Sequence, residues 1–514
     1  MRLIAHLYCV FGYLSFCTSA QSSISVPLPS SSIVGRDISA DNSTQGTYTS
    51  SYPVGVTPTP DPSNRNITLC LLIERSHGDK SAIYDYDRVA AAIQLAVDHV
   101  NQHILSGGYQ LQTFYKDIGK NCDKKNDIVK YALQILSAGI NCNAFLGPGC
   151  GYSADSLYNL VEFMRIPMMG CPAAGFAAES DREQYIMATR MSFTHKNTIN
   201  VIFRFLKHHA YKHVFVVQDE SDSFFEELTA VFNREIRKRT DVIRTVTAYP
   251  FRSRDATIEQ YERMLSTGNQ SSRVFVVLSN ATVLRTLMIT AQRLGMTNGQ
   301  YVYIAIELFD SPSWGKFTWS FGDESDRLRN LLRWEAKQAY ESVLLVALHQ
   351  VRNDYYETFS TNVKRLARKT LNYTFGAFEE IDPVVTSFYD ATLLYSIIMN
   401  KIITSGGNIY DGVKVSGMMR NFIFSSPISG DVWIDAVGDR QSDYVVKSFN
   451  PATGRFENFC TYTAISDSMV ATGPLYWPTK VLPPDVPRCG FQGEFAICHP
   501  QGRDKNPMRP FSLQ

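Results

Sequence analysis

The stretch Thr68-Leu69-Cys70-Leu71-Leu72-Ile73 decides the fold class of this chain. So continuous an apolar run is typical of a β-strand that is buried on both faces, as strands of parallel sheets are. Beyond it, apolar residues recur at helical spacing, at Ala90, Ile93, Ala96, Val97 and Val100. A buried strand followed by an amphipathic helix is the repeating unit of a parallel sheet covered by helices, so we predict an α/β fold.

The same alternation continues along the chain to about residue 306. Strands are predicted near residues 111–115, 144–146, 167–170, 213–217, 242–248, 273–278 and 301–306, with helices between them. Two such sets in series predict two doubly wound parallel-sheet lobes. The following section, 334–420, is predicted to be rich in helices, including 343–351 and 391–402, and strands return at 432–434, 444–446 and 456–462.

The composition excludes several classes of function. The chain has 514 residues, with 50 Lys+Arg against 49 Asp+Glu and a formal net charge of +1. This balance creates no strong field for nucleic acid or an anionic membrane, so we expect no nucleic-acid partner. After the first twenty residues, no window supplies the ~20 apolar residues that span a bilayer. We therefore expect a membrane connection only through a segment that this chain does not contain.

The N-terminus predicts export. Residues 1–20 combine Arg2, an apolar run over 3–16 and small residues up to Ala20, which is typical of a signal peptide; an N-terminal anchor helix is the alternative. Residues 21–65 are rich in Ser, Thr and Pro and predict a flexible leader. Export allows N-glycosylation at the Asn-X-Ser/Thr sequons, which begin at Asn42, Asn66, Asn269, Asn280 and Asn372.

The cysteines point to an oxidising compartment. Of the ten, Cys9 and Cys17 fall in the predicted signal peptide, and the other eight can pair, although sequence alone does not fix the connectivity. Cys489 and Cys498 lie close together in a Pro-rich tail with little core, which predicts a local disulfide. Zinc is the alternative for these two, but no CxxC pair occurs and only His499 is near.

Motifs of catalysis are absent from the sequence: there is no GxSxG elbow, HExxH helix or GxxxxGK[ST] loop. The glycines of residues 147–151 lie between a predicted strand and helix, where backbone N–H groups favour an anion. Their spacing differs from GxGxxG and Pro148 removes a donor, so a small anion is favoured over a dinucleotide. We predict a binding protein, neither an enzyme nor a metal protein, with its ligand at strand ends or between the lobes.

Several segments resemble, in order, the extracellular ligand-binding domain of natriuretic peptide receptors and receptor-type guanylate cyclases. They are FLGPGCGY (145–152), RTLM (285–288), GM (295–296), ELF (307–309), FYDATLLY (388–395), ID and GDR with Asp443 (434–443) and PPDVPRCGF (483–491). The resemblance implies a type I periplasmic-binding-protein fold over 66–480, with two lobes joined by three crossings. We place lobe 1 at about 66–190 and 340–430, lobe 2 at about 191–339 and 431–480, and a membrane-proximal tail at 481–514.

The resemblance also implies a function: binding of a peptide hormone at the interface of a homodimer, for transmembrane signalling or ligand clearance. Kinase-like or cyclase portions of the family would lie beyond this chain. We expect it outside the plasma membrane as part of a receptor, or secreted if it is complete. Two family contact positions differ here, as Lys124 and Gln184, so the ligand need not be a vertebrate-type peptide. Aromatic contact positions correspond to Tyr152, Tyr185, Phe224, Phe225 and Phe251. Core packing is the alternative for each of them, above all for Phe225 and Phe251.

Disulfides and an anion site are implied in the same way. The family pairs correspond to Cys122–Cys150 and Cys489–Cys498, whereas its lobe-2 pair is replaced by Ser223 and Leu278. The family's chloride is held by backbone N–H groups that match Gly149 and Cys150, but its serine has no counterpart between Leu111 and Cys122. No other cofactor is expected. The remaining cysteines are predicted to be buried thiols: Cys70, Cys142, Cys171 and Cys460.

Two alternatives to peptide binding stay open at this point. Related two-lobed receptors bind an amino acid or a similar small molecule in the cleft between the lobes. The chain could also be a soluble decoy receptor.

Overall fold

The computed structural model describes residues 36–37, 65–76, 83–119, 127–174, 184–239, 242–309, 314–320, 327–376 and 379–498, all of which belong to one compact unit. The predicted signal peptide, most of the leader, Asn42, Cys122 and Lys124 lie outside the described residues. The strands are β1 (Arg36–Asp37), β2 (Asn66–Ile73), β3 (Gln110–Asp117), β4 (Ala144–Leu146), β5 (Met168–Gly170), β6 (Ala188–Arg190), β7 (His213–Asp219), β8 (Thr245–Phe251), β9 (Val274–Leu278), β10 (Val302–Ile306), β11 (Val343–Leu348), β12 (Phe422–Ser426), β13 (Gly430–Ile434), β14 (Arg440–Gln441), β15 (Tyr444–Asn450), β16 (Arg455–Thr463) and β17 (Ser468–Ala471).

Eleven α-helices are described, together with short 3-10 turns. The helices are α1 (Tyr86–His103), α2 (Asp127–Ser137), α3 (Gly151–Met164), α4 (His195–His208), α5 (Ser223–Ile236), α6 (Ile258–Asn269), α7 (Ala281–Arg293), α8 (Arg327–Ala339), α9 (Asp354–Leu371), α10 (Pro383–Thr404) and α11 (Gly412–Met419). Among the described helices, none combines the length and the apolar character that crossing a bilayer requires.

The sheet of lobe 1 grows outward from the apolar run that decides the fold. Strand β2 lies inside a five-stranded parallel sheet of order β3-β2-β4-β5-β6. Leu69 pairs with Thr113 of β3 on one side and with Ala144 of β4 on the other. From Ile67 to Ile73 every residue of β2 is buried, as expected for a strand with helices on both faces.

The sheet of lobe 2 has eight strands in the order β17-β16-β15-β11-β10-β9-β7-β8. Strands β7 to β11 run parallel to one another, and β15, β16 and β17 extend the sheet as an antiparallel meander. The parallel sheet of lobe 1 and the five parallel strands β7 to β11 of lobe 2 confirm the predicted doubly wound lobes, although the antiparallel strands make the lobe 2 sheet mixed.

Three assignments from the sequence are corrected. Residues 343–348, predicted to be helical, form β11, which is parallel to β10 and buried throughout. A run of six apolar residues has no periodicity that distinguishes a buried helix from a buried strand. The segment is a strand because it pairs with β10 on one side and with β15 on the other. Strand β6 was not predicted, and β8 begins at Thr245 rather than at residue 242.

The chain passes between the two sheets three times. It leaves lobe 1 after β6, returns after β11 and crosses again between β14 and β15. The sheets place the second crossing after Leu348, whereas the sequence predicted it near residue 340. They place the third crossing near residue 442, whereas the sequence predicted it near residue 430. A small sheet of order β1-β12-β13-β14 joins β1 of the leader to three strands of the second passage through lobe 1. Asp439 bridges to Arg190 of β6.

Candidate ligand-binding surfaces

An aromatic cluster lies at the carboxyl edge of the lobe 2 sheet. Phe224, on the first turn of α5, is half-buried, and its ring centroid lies 4.2 Å from that of Trp314 and 6.1 Å from that of Phe193. Phe309, which follows β10, completes the cluster at 4.9 Å from Trp314. Asp222 orients the helix start by accepting hydrogen bonds from the Phe224 and Phe225 amides. Phe224 therefore offers an apolar face at the edge where α/β sheets bind ligands.

Phe225 and Phe251 differ in their surroundings. Phe225 is fully buried and its ring packs 5.7 Å from Trp314, so it belongs to the core of lobe 2. Phe251, at the end of β8, stays half-buried and meets the Tyr261 ring edge-on at 5.8 Å. Phe224 and Phe251 are thus partly open to solvent, and the buried Phe225 packs edge-on against Phe224 at 5.2 Å.

His195 extends the aromatic cluster and was not predicted from the sequence. It is 2% exposed, and neither ring nitrogen has a hydrogen-bond partner, although a Glu227 carboxylate oxygen lies 3.8 Å from Nδ1. Burial, reinforced by the charge of Arg190, lowers the pKa of His195 to about 3. The imidazole is therefore neutral at physiological pH. A single buried histidine carries no sequence signal that separates it from ordinary core.

An open groove of about 380 Å³ lies beside Phe251, between the first turns of α6 and α7. Its volume falls in the range of small-ligand pockets, about 300–1,000 Å³. Tyr261, the partner of the Phe251 ring, forms part of its wall. The other lining residues are mostly hydroxyl-bearing or small: Ser253, Arg254, Ala256, Thr257, Ile258, Asn280, Thr282, Val283 and Thr286.

In lobe 1, Tyr152 and Tyr185 border one face of α3. Tyr152 is half-buried on the first turn, and residues 152, 159 and 163 share a stripe because 3.6 residues make a turn. Phe163 in this stripe is 70% exposed. The half-buried Tyr185 packs its ring 5.0 Å from that of Tyr158, which is in the core. The five predicted contact residues are therefore divided between the lobes, two in lobe 1 and three in lobe 2.

The face of α3 continues onto two neighbouring segments. The Glu162 carboxylate accepts a hydrogen bond from the Met187 amide at 2.5 Å, and Arg420 donates to the Tyr185 and Ile186 carbonyls. At the start of α11, Gly412 lies so close to the Arg165 carbonyl that a Cβ would be 2.0 Å from it. These three neighbouring segments carry the exposed apolar side chains Phe163, Ile186 (44%) and Val413 (40%).

The predicted anion loop precedes α3 as expected. Cys150 is the N-cap of the helix and provides no side-chain cap. Tyr84 covers Gly149 so closely that a Cβ there would lie 2.1 Å from the ring, which explains the glycine. Nearby, burial and then the charges of Asp85 and Asp117 raise the pKa of Glu74 to about 8. The adjoining Glu74 carboxyl is therefore largely protonated at neutral pH.

Buried ion pairs join the crossings. Arg190 donates through Nε and Nη2 to the two carboxylate oxygens of Asp439, at 2.8 and 2.5 Å. Arg440 donates to Asp390 of α10 at 2.8 Å. The cavity at this junction, lined by segments including 348–351 and 440–443, holds only about 40 Å³. That is room for water rather than for an amino acid.

The cysteines correct one prediction. Cys70 and Cys142, predicted to be thiols, form a disulfide that links β2 to the segment leading into β4, because these strands are neighbours. The Cys489–Cys498 disulfide is present, and Cys171 and Cys460 are buried free thiols. Cys150 is disulfide-bonded, whereas its predicted partner Cys122 lies outside the described residues. Among the described residues, no cluster of His, Cys, Asp or Glu is arranged to hold a metal ion.

The described sequons differ in exposure. Asn66 and Asn372 are exposed, whereas Asn269 and Asn280 are half-buried. Asn269 accepts a hydrogen bond from Tyr301, and Asn280 caps α7 by accepting from the amides of Thr282 and Val283. In both cases the side-chain oxygen is the acceptor, so the amide nitrogen stays chemically able to carry a glycan.

Comparison with known proteins adds independent findings. Residues 88–452 match the family described as "Receptor family ligand binding region". The chain is 29% identical over 384 residues to atrial natriuretic peptide receptor 3 of Bos taurus, an alignment that covers 72% of this chain and 66% of that receptor. It is 31% identical over 273 residues to the receptor-type guanylate cyclase gcy-28 of Caenorhabditis elegans, covering 52% of this chain and 20% of that protein. This chain thus spans less than two thirds of the length of these relatives.

Among solved structures, a leucine binding protein from Thermotoga maritima superposes with a TM-score of 0.51 at 16% identity, covering 79% of this chain and 99% of that one. At this identity the likeness shows the fold, which is the predicted type I periplasmic-binding-protein fold. The matched region is a ligand-binding region, in agreement with the prediction that this chain is not an enzyme. With most of its length matched, the chain belongs to the receptor family defined by this ligand-binding region, which confirms its resemblance to natriuretic peptide receptors.

Proposed function

We propose that this chain is the extracellular ligand-binding domain of a natriuretic-peptide-receptor-like protein that binds a peptide at a homodimer interface. The observation that carries the proposal is the pair of partly exposed aromatic surfaces, one around Phe224 and Phe251 and one around Tyr152 and Tyr185. Aromatic side chains that keep one face open are common anchors of peptide interfaces. The names of the relatives support a peptide as the ligand.

The groove beside Phe251 has room for part of a peptide, whereas the crossings have no room for an amino acid. Its volume of about 380 Å³ suits a peptide side chain, whereas the cavity at the crossings holds about 40 Å³. A glycan on Asn280 would occupy the same groove, because Asn280 lines it. Glycosylation of Asn280 and peptide contact in the groove therefore exclude each other.

In a homodimer, a second copy of the chain would cover the exposed face of α3. Phe163, Ile186 and Val413 are apolar, exposed and joined through the contacts between α3, residues 185–187 and α11. Contiguous apolar surface of this kind marks interaction sites. The symmetric partner of such a face is the same face of a second copy.

The dimer is tested by sedimentation of the purified domain. The Phe163→Asp variant is expected to sediment as a monomer under conditions in which the parent chain is a dimer. Tyr355→Asp is the matched control, since Tyr355 is a 44% exposed aromatic residue on α9, away from this face. A dimer that persists in Phe163→Asp would remove this face from the interface.

Peptide binding is tested with purified domain and labelled atrial natriuretic peptide as the first probe, followed by secreted peptides of the source organism. Tyr152→Ala and Phe224→Ala are each expected to weaken binding by roughly tenfold or more. Tyr355→Ala should leave the affinity unchanged. Unchanged affinity in the first two variants, with melting curves that show folded protein, would remove these residues from the site.

The chloride site at Gly149 and Cys150 is part of the proposal, as is glycosylation. Backbone N–H groups before α3 are suited to a small anion, and the helix dipole adds to the attraction. Replacing chloride by gluconate in the binding assay is expected to weaken peptide affinity. Equal affinity in the two salts would remove chloride from the account.

A further inference from the structure

A cluster of exposed cations lies at the amino edge of the lobe 2 sheet, on the side that carries the C-terminal tail. It is formed by the last turn of α4, by the two loops that lead into β7 and β8, and by the adjoining tail. We call it the basic edge, and its members are Lys207, Lys212, Arg237, Lys238, Arg244 and Arg488, all of them exposed.

Backbone contacts show that these segments are neighbours. The Lys212 carbonyl accepts hydrogen bonds from the amides of Arg244 and Thr245, which joins the two loops. The tail is fastened beside them, because Asp485 accepts from the Lys212 and His213 amides at 2.8 and 3.0 Å. Tyr211 donates to the Pro483 carbonyl at 2.9 Å and fixes the same segment.

Within the part of this edge that the structure describes, two carboxylates lie among the cations, and both are engaged. Glu235 has a side chain only 5% exposed and contacts Lys238 at 2.9 Å and Arg239 at 4.0 Å. Burial alone would raise the pKa of Glu235, but the bond from Lys238 and the charges of Lys238, Lys196 and Arg234 hold it below its ordinary value. Asp485 lies 2.7 Å from the His213 ring nitrogen in addition to its two backbone bonds.

The sequence adds a third carboxylate, Asp241, which lies outside the described residues. The six cations of the basic edge therefore outnumber its carboxylates, although the whole chain is nearly neutral at +1. A local field of this kind attracts polyanions, independent of net charge. The anionic lipids of a plasma membrane face the cytoplasm. If the proposed function is right and this domain is extracellular, the polyanion within reach is a sulfated polysaccharide.

From this geometry we infer that the basic edge of lobe 2 binds a linear sulfated polysaccharide. Such a chain carries closely spaced sulfates that match cations on adjacent loops. The site is separate from the aromatic surfaces at the carboxyl edge, so polysaccharide and peptide can bind together.

The test uses purified protein and heparin, with binding measured over a series of salt concentrations. Affinity should fall with rising salt, as it does for polyelectrolytes that release counterions. The Arg237→Ala/Lys238→Ala variant is expected to bind roughly tenfold more weakly and with a smaller salt dependence. The matched control is Arg368→Ala/Lys369→Ala, because these exposed cations also lie at the C-terminal end of a helix, α9.

Several outcomes would overturn the inference. One is an equal loss of heparin affinity in the control variant, and another is no loss in Arg237→Ala/Lys238→Ala. Binding to phosphatidylcholine vesicles with one fifth phosphatidylserine, but not to heparin, would assign the edge to a membrane instead. Peptide binding measured on the same variants separates this inference from the proposed function, since Arg237→Ala/Lys238→Ala should keep full peptide affinity.

Discussion

A buried ion pair between Arg190 and Asp439 joins the first and third crossings, and its loss should lower the free energy of unfolding. Both carboxylate oxygens are bonded, and the side chains are 1% and 8% exposed. Removing one partner leaves the other charge buried without this ion pair, which costs about 3–5 kcal/mol. Arg190→Met and Asp439→Leu are therefore each expected to lower the free energy of unfolding by that amount.

The double variant distinguishes this account from a simple loss of packing. When both charges are replaced by apolar residues, no buried charge remains, so Arg190→Met/Asp439→Leu should lose much less than the sum of the single losses. Urea denaturation followed by circular dichroism measures all three variants. The exposed pair Arg293–Glu335 provides the control, and Arg293→Met should cost less than about 1 kcal/mol. Losses that simply add up in the double variant would refute the reasoning.

Three further predictions concern stability. In the folded state, burial raises the pKa of Glu74 from 4.5 to about 8, so the cost of burying its charge appears as pH rises above 4.5 and is complete near pH 8. Glu74→Gln should therefore stabilise the protein increasingly over that range, by on the order of 4 kcal/mol at the top. A pH-independent difference between the urea midpoints of the two proteins would contradict this. Loss of the disulfide in Cys70→Ala/Cys142→Ala should cost about 4 kcal/mol, given its separation of 72 residues, and an unchanged melting temperature would contradict the pairing. Phe225→Ala should lose about 3–5 kcal/mol as a core residue, and more than Phe224→Ala, in the same urea titration.

Local pattern predicted most of the fold because the central strands of both sheets, such as β2 and β9, are buried apolar runs. The run that forms β2 has no polar face, and few other structures can bury such a segment. The same property caused the error at β11, since six apolar residues fit a buried helix as well as a buried strand. Only the hydrogen bonds to β10 and β15 decide this case, and they join residues far apart in the sequence.

For the candidate surfaces, the sequence indicated exposure that follows from local position but not contacts between distant residues. Tyr152 and Phe224 each begin a helix after a loop, so their partial exposure follows from local position. The burial of Phe225, one residue further, depends on the direction of α5 relative to Trp314. The Cys70–Cys142 disulfide depends on β4 lying beside β2, and sequence alone does not give that pairing.

Calorimetric titration of the purified domain tests the central claim most directly. We expect a secreted peptide to bind with a stoichiometry of one peptide per two chains, and Tyr152→Ala and Phe224→Ala each to weaken this binding. Titration with each standard amino acid should give no heat of binding. Saturable binding of one amino acid per chain, with no response to peptides, would contradict the account and favour a ligand between the lobes.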